Sequence, residues 1–238
     1  MPKLHIGTSG WSYKDWQGRF YPKDLPAFKQ FNYYQKHFKT VEINNTFYHL
    51  PKKITVKNWY KKAKKNFIFA IKGSRFITHI KRLKDCKKPL DVFFEVIKHF
   101  KNKKGPILWQ LPPSFKRDEK RLESFIKLLP KSYKHAFEFR NPEWFRDSVY
   151  ELLNKYKCAF VIYDMPGLKT PDIITADFAY IRFHGATSLY GTKYTNKFLN
   201  EWYKKIKKWK KVKDVYIYFN NDTNAAAIEN AQFLKQNT

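Results

Sequence analysis

FAYIRFHG, residues 178–185, is the stretch whose reading decides the fold. Strand alternation splits it into Ala179, Ile181 and Phe183 on one face and Tyr180, Arg182 and His184 on the other. A run this apolar is buried on both faces, and its charge must turn away from the layer that covers the apolar side. Seven other runs share the form: LHIGTS (4–9), TVEINN (40–45), FIFAIKG (67–73), PILWQLP (106–112), HAFEFR (135–140), CAFVIYD (158–164) and DVYIYFNN (214–221). Each ends on polar or charged residues, and most are separated by a segment of helical spacing. Eight such units predict an α/β fold, a (β/α)8 TIM-type barrel, which gathers its chemistry at the C-terminal ends of the strands.

The helical segments fall at about 26–38, 52–65, 88–102, 118–129, 142–156, 195–211 and 222–236. Asn141-Pro142-Glu143 supplies an N-cap, a proline for the first helical position and an early acid. Asp118 and Asp222 are expected to cap the helices that follow them. MPGLKTPDIITAD (165–177) suits a loop or a single turn, so the sixth unit is expected to be abbreviated. Segment 11–39 is longer than one unit needs, and its aromatics are candidates for a cover over the strand ends. No linker or low-complexity stretch interrupts 1–238, which reads as a single domain.

Forty-eight basic against 20 acidic residues give a net charge of +28. A polyanion such as nucleic acid would explain that excess. So would a genome rich in A and T, since most of the cations are Lys and the chain is also rich in Asn, Ile, Phe and Tyr. In 198–213, Leu199, Trp202, Ile206 and Trp209 recur at helical spacing, which leaves the seven lysines from Lys204 to Lys213 on a solvated face. No run approaches 18 apolar residues, so no membrane partner is expected. The first strand begins by Leu4, without room for a signal peptide. Cys86 and Cys158 form no CxxC spacing. A reduced, cytoplasmic protein is the expectation.

Parity names the inward-facing polar set. Glu42 and Asn44 oppose Val41 and Ile43; Glu138 and Arg140 oppose Phe137 and Phe139. Lys72, Gln110, Asp164 and Asn220 close their own runs. In the first run either Ile6/Thr8 or Gly7/Ser9 faces inward. A barrel filled only for stability uses Val, Ile and Leu there, whereas buried ion pairs stabilise poorly. The charged set therefore points to a site. Glu42, Glu138, His184 and Asp164 are the candidate acid–base groups. Lys72, Arg140 and Arg182 form the candidate anion clamp, with Asn44, Gln110 and Asn220 beside them. Trp11 and Tyr190, in loops after strands, are candidate ligand-stacking residues. His79 follows the third strand. The oxygen-rich set admits a divalent metal, with no HExxH and no close His pair to fix one. Nothing indicates an organic cofactor.

These residues lie in IGTSGW-SY-W (6–16), VEINNTFY-LP (41–51), ITH (77–79), QLPPSF (110–115), FEFRNPEWF (137–145), YIRFHG (180–185) and YFNND-NAAAIENA (218–231). In these motifs the chain resembles the YecE-like family, domain of unknown function 72, almost end to end. The resemblance implies a (β/α)8 barrel and a site on Glu42, Asn44, Lys72, Gln110, Glu138, Arg140, Asp164, Arg182, His184 and Asn220. It supplies no activity. Members often carry a His after the fifth-strand arginine, where this chain has Asn141-Pro142, and many have Ser at the place of Asn45.

The functional expectation is a hydrolase or lyase that uses acid–base chemistry on a small or polymeric anionic, phosphate-bearing substrate. The alternatives are a nucleic-acid-binding or repair-type protein with Trp11 and Trp16 as base-stacking groups, a glycoside-acting barrel, and a scaffold without activity.

Overall fold

The computed structural model describes residues 1–238. They form two compact units, Met1–Glu42 with Ile162–Asp172 and Asp177–Thr238, and Ile43–Val161 with Ile173–Ala176.

The first unit starts with β1 (Lys3–Thr8), α1 (Ala27–His37) and β2 (Thr40–Ile43), whose last residue belongs to the second unit. The second holds α2 (Asn45–Tyr48), α3 (Lys53–Lys62), β3 (Ile68–Lys72), α4 (Lys87–Ile97), β4 (Lys104–Leu111), α5 (Glu119–Lys127), β5 (His135–Phe139), α6 (Asp147–Lys155) and the first half of β6 (Ala159–Met165). The chain then completes the first unit with β7 (Leu168–Lys169), β8 (Phe178–Phe183), α7 (Asn196–Lys207), β9 (Asp214–Phe219) and α8 (Ala226–Gln236). Strands alternate with helices and pair in parallel, except for the two-residue β7, which runs antiparallel to β6. The fold is α/β, of the (β/α)8 TIM type, as 178–185 and its counterparts predict. No helix separates β6 from β8, so the sixth unit is abbreviated as expected.

In the first unit β9 lies between β1 and β8. Its register sets Gly7 and Arg182 both opposite Tyr218, one residue from the C-terminal end of each strand pair. Gly7 is dictated by packing: a Cβ there would sit 2.4 Å from the Thr40 carbonyl oxygen. In the second unit β4 sets Gln110 opposite Glu138. Strand alternation thus brings the polar residues of neighbouring strands to common levels.

Helix ends follow local chemistry. Asp118 caps α5, accepting from Arg121 N at 3.0 Å, and Thr195 caps α7, accepting from Phe198 N at 3.2 Å. Asn141 does cap, accepting from Glu143 N at 2.9 Å, but the turn it starts is 3-10 (Pro142–Trp144); α6 begins later, at Asp147. Asp222 corrects an expectation, for its side chain makes no cap hydrogen bond. Asn224 and Ala225 follow in the left-handed region (φ 55° and 62°), and α8 starts only at Ala226. On α7, Leu199, Trp202 and Ile206 are buried while Lys204 and Lys207 face solvent. No helix is long and apolar enough to cross a membrane.

Candidate active site

The first unit carries a buried ionic cluster at the C-terminal ends of its strands. Glu42, from β2, is inaccessible to solvent. Its Oε1 accepts from Ser9 Oγ (2.5 Å) and Arg182 Nη2 (2.8 Å), and its Oε2 from Tyr180 OH (2.7 Å). Three donors, one of them a cation, replace the water that a lone buried carboxylate would need. Ser9 settles the parity of the first strand. Gly7 and Ser9 face the cluster, whereas Thr8 turns to α1 and bonds Tyr34 OH at 2.9 Å. Strand β2 reaches β1 through a parallel bridge between Ser9 and Glu42, so backbone and side chains fix the same pair of residues.

Arg182 Nη2 also lies 3.3 Å from Ser9 Oγ, and its Nη1 lies 3.5 Å from His184 Nε2. His184, fully buried, meets Asn220 Nδ2 at Nδ1 (3.0 Å). Its backbone N–H is tied to the Asp164 carbonyl at 2.9 Å. Asp164 accepts from Tyr194 OH at 2.9 Å and pairs with Lys169 at 3.1 Å. Those partners make Asp164 an anchor for β7 and for the loop after β8. Tyr190 stands on that loop with its ring 6.0 Å from His184 and about half exposed, and its backbone N–H donates to the His184 carbonyl (2.6 Å). Gly185 opens the loop at φ 120°, where a Cβ would collide with the Ser188 carbonyl.

The tryptophans correct one expectation. Trp16 is fully buried in an aromatic cluster with Tyr13, Phe20 and Tyr21, and its indole N–H donates to the Asp222 carbonyl at 3.0 Å. Its faces are taken, so it cannot stack on a base. Trp11 leans on Phe31 of α1 with ring centroids 5.2 Å apart. The long segment after β1 is a packed aromatic layer over α1, because Phe20 and Tyr21 bury against Tyr33.

Asp222 is the residue missed by the sequence reading. Its carboxyl, half-buried, is hydrogen-bonded to Tyr13 and lies in the field of Glu42 and Arg182. Burial is the largest influence and raises its pKa from 3.8 to about 8; the Tyr13 hydrogen bond opposes this, Glu42 adds to it and Arg182 opposes it. A signal was present. Asp222 follows Asn220 at the same parity in FNND, but an acid before a helix also fits a cap, which is the simpler reading.

In the second unit, Glu138 is fully buried and pairs with Arg140 Nε at 2.5 Å. Lys72 places Nζ 4.2 Å from the Phe47 ring centroid, while its carbonyl accepts from Thr46 Oγ1 at 2.6 Å. His79 sits in a π-helical turn, 5.0 Å from Phe47 ring to ring, and Thr78 Oγ1 meets its Nδ1 at 2.9 Å. Burial, then Lys72 and Arg75, lower its pKa to about 4, with Glu138 opposing. Asn44 and Gln110 are half-buried, and the Asn44 carbonyl accepts from Phe47 N at 3.0 Å. No group of three or more His, Cys, Asp or Glu side chains is placed to hold a metal ion.

Fold and cluster together define a (β/α)8 protein with ionic side chains at the C-terminal ends of its strands. The chain belongs to the DUF72 family, proteins of unknown function, whose model matches residues 5–238. It is 25% identical to the UPF0759 protein YunF of Bacillus subtilis over 96% of this chain and 92% of that one. It is 28% identical to the UPF0759 protein YecE of Escherichia coli over 60% of this chain and 50% of that one. The crystal structure of a DUF72 family protein from Thermotoga maritima matches with a TM-score of 0.88 at 32% identity, covering 98% of both chains. A DUF72 family protein from Enterococcus faecalis gives 0.84 at 20% identity, covering 98% of this chain and 94% of that one, and bears on the fold alone.

Proposed function

We propose that this protein is an enzyme that carries out proton-transfer chemistry on a small, phosphate-bearing anion bound at the cluster of Glu42, Arg182, His184 and Asn220. One observation carries the reading: a guanidinium and a carboxylate are fully buried at the strand ends, the face on which barrels of this type keep their chemistry. Apolar packing would stabilise the barrel better than this pair does. Each member has a distinct task. Glu42 has three donors on its two oxygens, so it positions Arg182 instead of exchanging protons. Arg182 Nη1, turned toward His184, supplies the positive charge for the anion. His184 is the proton shuttle, with Asn220 holding its ring. Glu138 and Arg140 form a second orienting pair, and Lys72 adds positive charge on its own unit.

The test is a panel of phosphate monoesters and diesters, scored for hydrolysis or elimination and for a rise in melting temperature. Phosphate-bearing compounds should raise the melting temperature of the wild type, and His184→Gln should keep that rise while losing turnover. If no such compound shifts the melting temperature at millimolar concentration, the reading falls.

A further inference from the structure

The carboxyl of Asp222 is an unusual object. It follows β9, and both sides hold it. The Trp16 indole fixes its carbonyl, and Ala227 N bonds the Asn221 carbonyl at 2.9 Å. Two successive non-glycine residues after it, Asn224 and Ala225, are left-handed. Backbone strain of this kind persists where the surrounding structure over-determines it. The group so presented makes no helix cap. Its Oδ1 is enclosed and has no hydrogen-bond partner.

Hydrogen counting adds to this. The Tyr13 hydroxyl has one hydrogen and donates it to the Ser9 carbonyl. Tyr13 can then only accept from Asp222, which requires the proton to be on the carboxyl. The groups that face Asp222 are Tyr13 from the segment after β1, Tyr34 from α1, Glu42 from β2 and Arg182 from β8, while Asp15 accepts from Asn224 N beside it. A second negative charge beside Glu42 is opposed by burial first and by repulsion from Glu42, which together outweigh the attraction of Arg182.

We propose that Asp222 is a protonated carboxylic acid of the anion site, donating a hydrogen bond to Tyr13 when the site is free and to an oxygen of the oxyanion when it is filled. The inference rests on the reading of the cluster as an anion site. It adds a reason for the preference: a neutral acid admits an oxyanion next to Glu42, where a carboxylate would repel it. A carboxyl kept protonated by burial can donate a hydrogen bond.

The experiment compares wild type with Asp222→Asn, the neutral isostere, in two readouts. The first is the urea midpoint from pH 5 to pH 9, without ligand. Folded Asp222 holds its proton up to about pH 8 and the unfolded residue releases it near 3.8, so stability drains as pH rises between those values. The wild-type midpoint should therefore fall relative to the Asn variant across pH 5 to 8 and level off above. The second is calorimetric binding of inorganic pyrophosphate. The ratio of wild-type to Asn-variant affinity should drop about tenfold from pH 7 to pH 9, as one proton is lost with a midpoint near 8; the ratio cancels the titration of pyrophosphate itself. Parallel urea curves with pyrophosphate still bound would overturn the protonated acid and leave the anion site standing. Divergent curves with no pyrophosphate bound to either protein would overturn the anion site, and the donation to a ligand with it. If Asp222→Asn does not fold, Tyr13→Phe replaces it. Losing the hydroxyl that accepts the Asp222 proton should move the alkaline fall of the urea midpoint to lower pH; an unmoved fall overturns the proposal.

Discussion

Glu42 and Glu138 are both fully buried carboxylates on strands, and each holds an arginine, yet the two regions are assembled by different means. Arg140 stands two residues beyond Glu138, directly after the end of β5, so the extended chain alone brings them together. Arg182 reaches Glu42 from 140 residues away, and Ser9 from 33. The local pair needs only a strand. The remote pair exists only when β1, β2 and β8 are all in register, so it ties the correctness of the fold to the geometry of the site.

Breaking the remote pair should give the largest effect. Arg182→Met leaves the Glu42 carboxylate buried with two neutral donors, which should cost about 3–5 kcal/mol in urea unfolding. Arg140→Met should cost less. The Arg140 side chain keeps 9% of its surface exposed against 1% for Arg182, so water can enter where the guanidinium was. Equal losses, or the reverse order, would show that the remote pair carries no special share of the fold. Gly7→Ala comes next. The added methyl meets the Thr40 carbonyl, the backbone beside Glu42, and over-packing of this kind costs about 1–3 kcal/mol. An unchanged urea midpoint would contradict the close approach of β1 to β2. Ser9→Ala is milder, removing one of three donors to Glu42 for about 1 kcal/mol, read from the same unfolding curves.

The same contrast explains what could be read from the chain. Parity alone found Arg182, His184, Glu138 and Arg140 as residues turned away from the helix layer, because a charge inside an apolar strand has few other places to go. It could not choose between Thr8 and Ser9, since both are small and polar and only the partners Tyr34 and Glu42 distinguish them. Trp16 reads as a loop aromatic open to a ligand because the sequence does not show that Phe20 and Tyr21 fold back over it. Asp222 reads as a cap, a local role, because the groups that face it lie on four segments far away in the chain. Local rules therefore recovered the strands and the abbreviated sixth unit, whereas roles set by remote partners emerged only from the structure.

The smallest expected effect sharpens the Glu138 side of the comparison. Burial first, then Lys72 and Arg75, hold the His79 ring neutral, and the Glu138 carboxylate alone among the named charges pulls the other way. The folded His79 should titrate near pH 4 in NMR spectra, against 6.5 for the unfolded residue, with His79→Phe identifying its signals. Its contribution to stability is then complete above 6.5 and lost as the pH falls toward 4. Glu138→Gln removes the opposing charge and should lower the midpoint further, by less than about one pH unit because Arg140 already neutralises much of that carboxylate. A midpoint that rises in Glu138→Gln would mean that Arg140, freed from its partner, does not act on His79 as a like charge, and that Glu138 does more in this region than orient an arginine.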